Sequence, residues 1–343
     1  MPLVPLAAAL SLVTGAPGYT PAARGGEARL EYVYDLTTTT AKVTLQWPRL
    51  SWDPDARELL LIDGRGVRIF NAAGVEVYRF RNASTLVQIT DAIAMPGGDI
   101  LLVGVRDRKR ALVRCDFRGR SLGDVEPKGL PPALADFPWA GMVRAGDRLH
   151  LFDRARLRVV SLGLDLAFAG VVDFGKAMAA GADPGADLEP GGFWVGAGGT
   201  IYVGFPYLFR VAVIAPDGTV RGFGEKGSAP GRFNVISGVA ADEDGYVYVS
   251  DVLKSAVEVF DPRFRFVGQV AGLVGPGQLL YADGKLYVTQ GGSAGVAVFR
   301  VHRQPPAAGG AGRAGADPAA SGAAPAASRG RRRPRRRRTG SPR

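Results

Sequence analysis

Residues able to do chemistry near neutral pH are scarce in this chain. It has two histidines, His150 and His302, and one cysteine, Cys115, in 343 residues. One cysteine closes no intrachain disulfide and leaves the redox compartment unread. Two isolated histidines do not make a His-rich metal site. No glycine-rich phosphate loop leads from a strand into a helix, and no His/Cys cluster has metal-ligand spacing. His302 lies where the ordered pattern ends, so no Ser-His-Asp triad is proposed. Asp183, Asp187 and Glu189 crowd the stretch from Gly175 to Gly191 and could supply oxygens to calcium. A solvated surface insertion is the simpler expectation there. No cofactor is expected.

Any site must be positioned by a pattern that repeats along the chain. Its clearest copy runs from Gly222 to Val270. A short apolar run, Ser237 to Ala241, meets the turn Asp244-Gly245, where glycine supplies a positive φ. An alternating strand follows from Tyr246 to Asp251, a third at Val257 to Asp261 and a fourth at Phe264 to Val270. Equivalent second-strand ends fall at Asp63, Val105, Asp153, Phe205, Asp251 and Gln290, spaced 42, 48, 52, 46 and 39 residues apart. Four short strands per 40 to 50 residues predict the blades of a propeller, and the uneven period argues against a solenoid. The sixth copy lacks a fourth strand. Arg29 to Asp35 alternates as a strand with no neighbour of its own, so it is predicted to close the sixth blade. The fold class is therefore all-β, a six-bladed propeller spanning residues 29–301 and closed by its N-terminal strand.

Aligning the copies assigns several tempting residues to packing. Cys115 takes the slot of Phe70, Ile214, Phe260 and Phe299, which makes it a core filler. His150 takes the slot of Tyr202, Tyr248 and Tyr287. The stronger functional signal lies just before each first strand: Trp47-Pro48-Arg49, Phe137-Pro138-Trp139, Phe193-Trp194 and Arg232-Phe233-Asn234. In a propeller these loops share one face with the loops after the second strands, which carry Arg65, Arg106 to Arg110, Arg154, Tyr207 and Lys254. Trp47, Arg49, Arg65, Trp139, Trp194, Arg232 and Phe233 are the predicted contact residues for a protein or peptide partner. Packing between blades is the competing reading of the aromatic members.

The run from Gly224 to Asp261, reading GxxGxxxGxFxxxxGVAxDxDGxVYVSD, resembles an NHL repeat, and the likeness extends from about Arg29 to Val301. The resemblance implies a six-bladed propeller. It also implies that Asp63, Asp153 and Asp251 make structural hydrogen bonds to neighbouring loops. Propellers of this kind include extracytoplasmic binding and sensor proteins, RNA-binding domains and an amidating-lyase branch. The metal-site histidines of the lyase branch find no match here, nor do the channel Glu, Asn and Asp ligands of gluconolactonase-like propellers. A non-enzymatic exported binding scaffold is the leading expectation. Alternatives are a metal-dependent hydrolase or lyase in the channel and a nucleic-acid or polyanion binder.

The ends of the chain differ from its body. Met1 to Ala23 contains the apolar run Leu3 to Val13 followed by small residues, like the core of a signal peptide. No Lys or Arg precedes Arg24, so the signal is atypical or the start lies upstream. The run is too short to span a bilayer, and no transmembrane helix is expected. The protein is expected to be periplasmic or secreted if this leader is a signal peptide, and cytoplasmic otherwise. The net charge is +11, but residues 303–343 hold eleven Arg and one Asp, which leaves +1 for everything else. This Pro/Ala/Gly-rich tail has no apolar stripe and is expected to be disordered. Its cluster Arg331, Arg332, Arg333, Arg335, Arg336, Arg337 and Arg338 suits anionic lipid, lipopolysaccharide or nucleic acid. A monomer is expected.

Overall fold

The computed structural model describes residues 20–22, 28–36, 48–64, 66–81, 86–135, 137–139, 141–181, 185–292 and 295–303. Among these residues the strands form six antiparallel sheets, arranged as the blades of one propeller. Blade 1 is Arg49–Asp53, Glu58–Ile62, Gly66–Phe70 and Glu76–Arg81. Blade 2 is Gln88–Ala94, Ile100–Arg106, Lys109–Cys115 and Ser121–Val125; blade 3 is Gly141–Ala145, Arg148–Asp153, Arg158–Gly163 and Phe168–Asp173. Blade 4 is Phe193–Val195, Ile201–Phe205, Arg210–Ile214 and Val220–Phe223; blade 5 is Ile236–Ala241, Val247–Asp251, Ala256–Phe260 and Phe266–Ala271. Blade 6 takes Leu279–Ala282, Lys285–Thr289 and Val296–Arg303 from the end of the chain and Ala28–Leu36 from its start. The predicted closure is therefore present, with Arg29 opposite His302 and Asp35 opposite Ala297. Thr20–Ala22 adds a short fifth strand to blade 5, pairing with Phe266–Ala271.

Blades pack face to face, so inner strands are buried on both sides and read as continuous apolar runs. Leu59-Leu60-Leu61-Ile62 shows this: all four are buried, with Leu60 and Ile62 facing blade 2 and Leu59 and Leu61 facing blade 6. Six apolar clusters fill the six blade interfaces. Outer strands such as Glu76–Arg81 are mostly exposed. The recurrent Asp residues hold loops as expected. Asp251 accepts the backbone N–H groups of Asn234, Val235, Leu253 and Lys254. Asp153 accepts those of Ala155 and Arg156, and Asp63 that of Gly66.

In the stretch from Gly175 to Gly191, an α-helical turn, Gly175–Ala180, replaces what reads as loop. Its Lys-Ala-Met-Ala-Ala sequence has high helix propensity. Among the described residues no helix is long and apolar enough to cross a membrane. The leader before Thr20, Trp47, Arg65, Asp183 and the tail from residue 304 onward, with its Arg331 to Arg338 cluster, lie outside the described residues.

Two mouths of the propeller channel as candidate sites

Each blade is entered from one face, and the chain returns to that face after the second strand. The inter-blade loops and the loops after the second strands thus share a loop face. The turns after first and third strands form the opposite, hairpin face. Each face opens on a cavity of the central channel, and the two cavities differ in size and chemistry.

The loop-face cavity is narrow, about 290 Å³. Glycines let inner strands of neighbouring blades close on one another here. A Cβ on Gly238 would lie 2.2 Å from the Gly277 carbonyl, and one on Gly192 would lie 2.6 Å from the Val239 nitrogen. Arg49, Arg154, Phe193 and Gln278 line this cavity. Arg49 Nη2 lies 3.3 Å from Asp91 Oδ2, and the same oxygen accepts the Met142 N–H at 3.2 Å. Asp91 is buried, and burial pushes its carboxyl above the usual range against the pull of Arg49. Gln278 clamps blade 6 to blade 1, accepting the Leu50 N–H and donating to the Leu50 carbonyl.

The hairpin-face cavity is wide, about 900 Å³, and runs from the channel into the cleft between blades 3 and 4. Small residues, among them Gly170, Gly196, Gly198 and Gly199, leave this space open. Its wall mixes rings, Trp52, Trp194 and Tyr281, with Arg144, His150 and Glu243. Arg144 is almost fully buried and ties three blades: Nη1 donates to the Ala94 carbonyl at 2.8 Å and Nη2 to Asp55 at 3.1 Å. His150 is buried, with Nδ1 3.0 Å from Ser161 Oγ. Burial, with Arg148 nearby, lowers its pKa to about 4, so the imidazole is neutral at pH 7. A base that weak is poorly matched to proton abstraction at neutral pH. Trp194 crosses the channel and packs against the clusters between blades 4 and 5, 5 and 6, and 6 and 1. Its Nε1–H is buried without an acceptor among the described residues. Leaving such a donor unmade costs about 1–3 kcal/mol.

Of the residues predicted as one contact face, the described ones do not converge on one mouth. Arg49 lines the narrow mouth. Trp194 belongs to the wide mouth instead, because its place on the inner strand Phe193–Val195 turns its ring into the channel. Phe233 is fully buried; its ring sits 5.5 Å from that of Phe260 and fills the space beside Gly224. Trp139 is half-buried against the cluster between blades 2 and 3. Arg232 is half-exposed and lies 3.0 Å from Glu225, while its carbonyl accepts Lys254 Nζ. Sequence reasoning missed Trp52, Tyr281, Arg144 and Asp91. For Asp91 a signal existed, a lone acid inside the apolar strand Gln88–Ala94. The others carry no signal, since only the meeting of blades brings them together. Asp187 accepts the Glu189 N–H in an exposed turn. Among the described residues no group of three or more His, Cys, Asp or Glu is placed to hold a metal.

No family model and no curated protein sequence matches this chain. Solved structures do match in fold. A gluconolactonase from Xanthomonas campestris is 17% identical, with a TM-score of 0.53 over 83% of this chain and 96% of its own. An inactive variant of virginiamycin B lyase from Staphylococcus aureus, solved with quinupristin, is 10% identical, with a TM-score of 0.52 over 80% of this chain and 99% of its own. Regucalcin from Agrobacterium tumefaciens, a calcium-binding protein, is 11% identical, with a TM-score of 0.52 over 79% of this chain and 94% of its own. At these identities the likeness is one of fold.

Proposed function

We propose that this propeller is a non-enzymatic binding scaffold whose wide mouth receives a segment of a protein or peptide partner. One observation carries the reading: a 900 Å³ concavity walled by aromatic rings and by charges of both signs. Such walls suit a chain that alternates apolar and charged side chains. The buried Trp194 N–H offers a donor to a partner carbonyl that reaches it. The neutral, weakly basic His150 favours binding over acid–base turnover at this mouth. Several structural neighbours are enzymes by name, so turnover is the reading to test against.

Selection of peptides from a random library on the full-length protein is the direct test. Enriched peptides should bind saturably, and Trp52→Ala and Glu243→Lys should each weaken them about ten-fold or more. Failure to enrich any peptide, or equal binding by both variants, would remove the wide mouth as the partner site. Export forms part of the proposal and rests on residues 1–23. N-terminal sequencing of the native protein should find a start near Ala23; an intact N-terminus on a cytoplasmic protein would refute it.

A further inference from the structure

The geometry points to a second site, independent of the wide mouth: the loop-face cavity binds a small organic carboxylate, its charged end on Arg49 and Arg154 and its apolar part over Phe193. Both guanidinium side chains line this cavity. Arg49 is tethered at one end, its side chain 41% exposed. Asp91, only 3% exposed, holds it by Nη2 at 3.3 Å and is itself held by the Met142 N–H. Among the described residues this leaves Nε and Nη1 of Arg49 without a protein partner. Arg154 is held across the loops by donation from Nη2 to the Pro190 carbonyl. Among the described residues the charged groups that line the cavity are these two arginines; Asp91 stands behind Arg49, with Arg110 also acting on it, so the lining is cationic whichever form Asp91 takes. A tethered pair of arginines recognises a planar oxyanion with charge-assisted hydrogen bonds.

Size and wall select within anions. At about 290 Å³ the cavity lies at the small end of ligand pockets, which excludes a nucleotide or a folded peptide segment. Phe193 presents a ring stacked on Phe152 at 4.7 Å, with Pro48, Val239 and Leu279 beside it. Inorganic phosphate would leave this apolar wall unused. An acid with a short hydrocarbon or aromatic body uses both halves.

Isothermal titration of the full-length protein with propionate and phenylacetate tests the site. Phenylacetamide serves as the uncharged twin and inorganic phosphate as the bare anion. Saturable one-to-one binding of a carboxylate is expected, with the amide weaker by about ten-fold or more. Arg49→Gln and Arg154→Gln should each weaken the carboxylate to a similar degree, and either one, if folded, decides the matter. The inference is overturned if neither acid binds saturably. It is also overturned if phosphate binds more tightly than both acids, or if the arginine variants bind as well as the parent, which would place the anion on the Arg-rich tail.

Discussion

At the residue scale, two buried titratable groups oppose each other in their effect on stability. His150 is depressed to about 4 by burial, below its ordinary value of 6.5. Between these values the unfolded chain binds the proton and the folded chain does not, so stability from this group is lost as pH falls from about 6.5 to 4. Glu258 is fully buried, with Lys254 on one oxygen and, among the described residues, no well-formed hydrogen bond on the other; the Gly231 backbone also favours its charged form. Burial raises its pKa to about 7 from 4.5, more than Lys254 can offset. Here the folded chain holds the proton longer, so its contribution is present at low pH and lost as pH rises to about 7. Each shift corresponds to at most roughly 3 kcal/mol. The two slopes have opposite signs in the parent and should separate in variants. His150→Tyr, which installs the residue used in three other blades, should gain stability relative to the parent as pH falls from 6.5 to 4.5. Glu258→Gln should gain relative to it as pH rises from 4.5 to 7. Urea midpoints at pH 4.5, 5.5 and 7 read both, and parallel profiles would refute the assignment. Cys115 is inert by the same physics: it is fully buried and its thiol is pushed up to about 11, so alkylation of the native protein should be far slower than of the unfolded chain.

At the element scale, the strand Ala28–Leu36 is the joint of the ring. It buries Ala28, Leu30 and Leu36 and covers the edge of Val296–Arg303. Arg303, at the end of that strand, lies 3.2 Å from Asp242 and donates to the Tyr281 hydroxyl at 2.6 Å, tying blade 6 to blade 5. Removing residues 1–36 exposes a long apolar edge and should cause aggregation or a large loss of melting temperature. Removing residues 1–27 takes away, among the described residues, the three-residue pairing of Thr20–Ala22 and should leave melting nearly unchanged. If the two truncations melt alike, closure by Ala28–Leu36 does not hold the ring. A core change gives a scale for comparison: Leu60→Ala, at the interface of blades 1 and 2, should cost about 2–5 kcal/mol in denaturant unfolding.

At the scale of the whole molecule, charge separates the body from the tail. Ten of the eleven net positive charges reside in residues 303–343. We propose that this segment binds phosphate-bearing polyanions. Affinity for duplex DNA or anionic vesicles should fall steeply from about 50 to 200 mM salt, with a slope on duplex DNA of about −0.9 per phosphate neutralised. A chain ending at residue 303 should lose that binding and keep its melting temperature. Retained binding would locate the polyanion site on the propeller.

Local chemistry determined much of this protein before any contact between blades was known. Period-two strands and Asp-Gly turns act within a few residues, so six blades, the orphan strand and its place in the sixth blade were all legible in sequence. Slot equivalence made Cys115 and His150 packing residues, and the structure buries both. That the Asp residues ending second strands anchor loops was implied by the resemblance to NHL repeats, and the structure shows those bonds. The candidate sites were not legible. Arg49, Trp194 and Phe233 look alike in sequence, each beside the start of a first strand, yet they go to the narrow mouth, the wide mouth and the core. Which mouth is wide depends on how closely inner strands of different blades approach. That is set by pairs such as Gly238 with Gly277, distant in sequence and adjacent only in the closed ring. Strand periodicity encodes which side of a sheet a residue takes, but not what the neighbouring blade brings against it, and only the tertiary structure decided that.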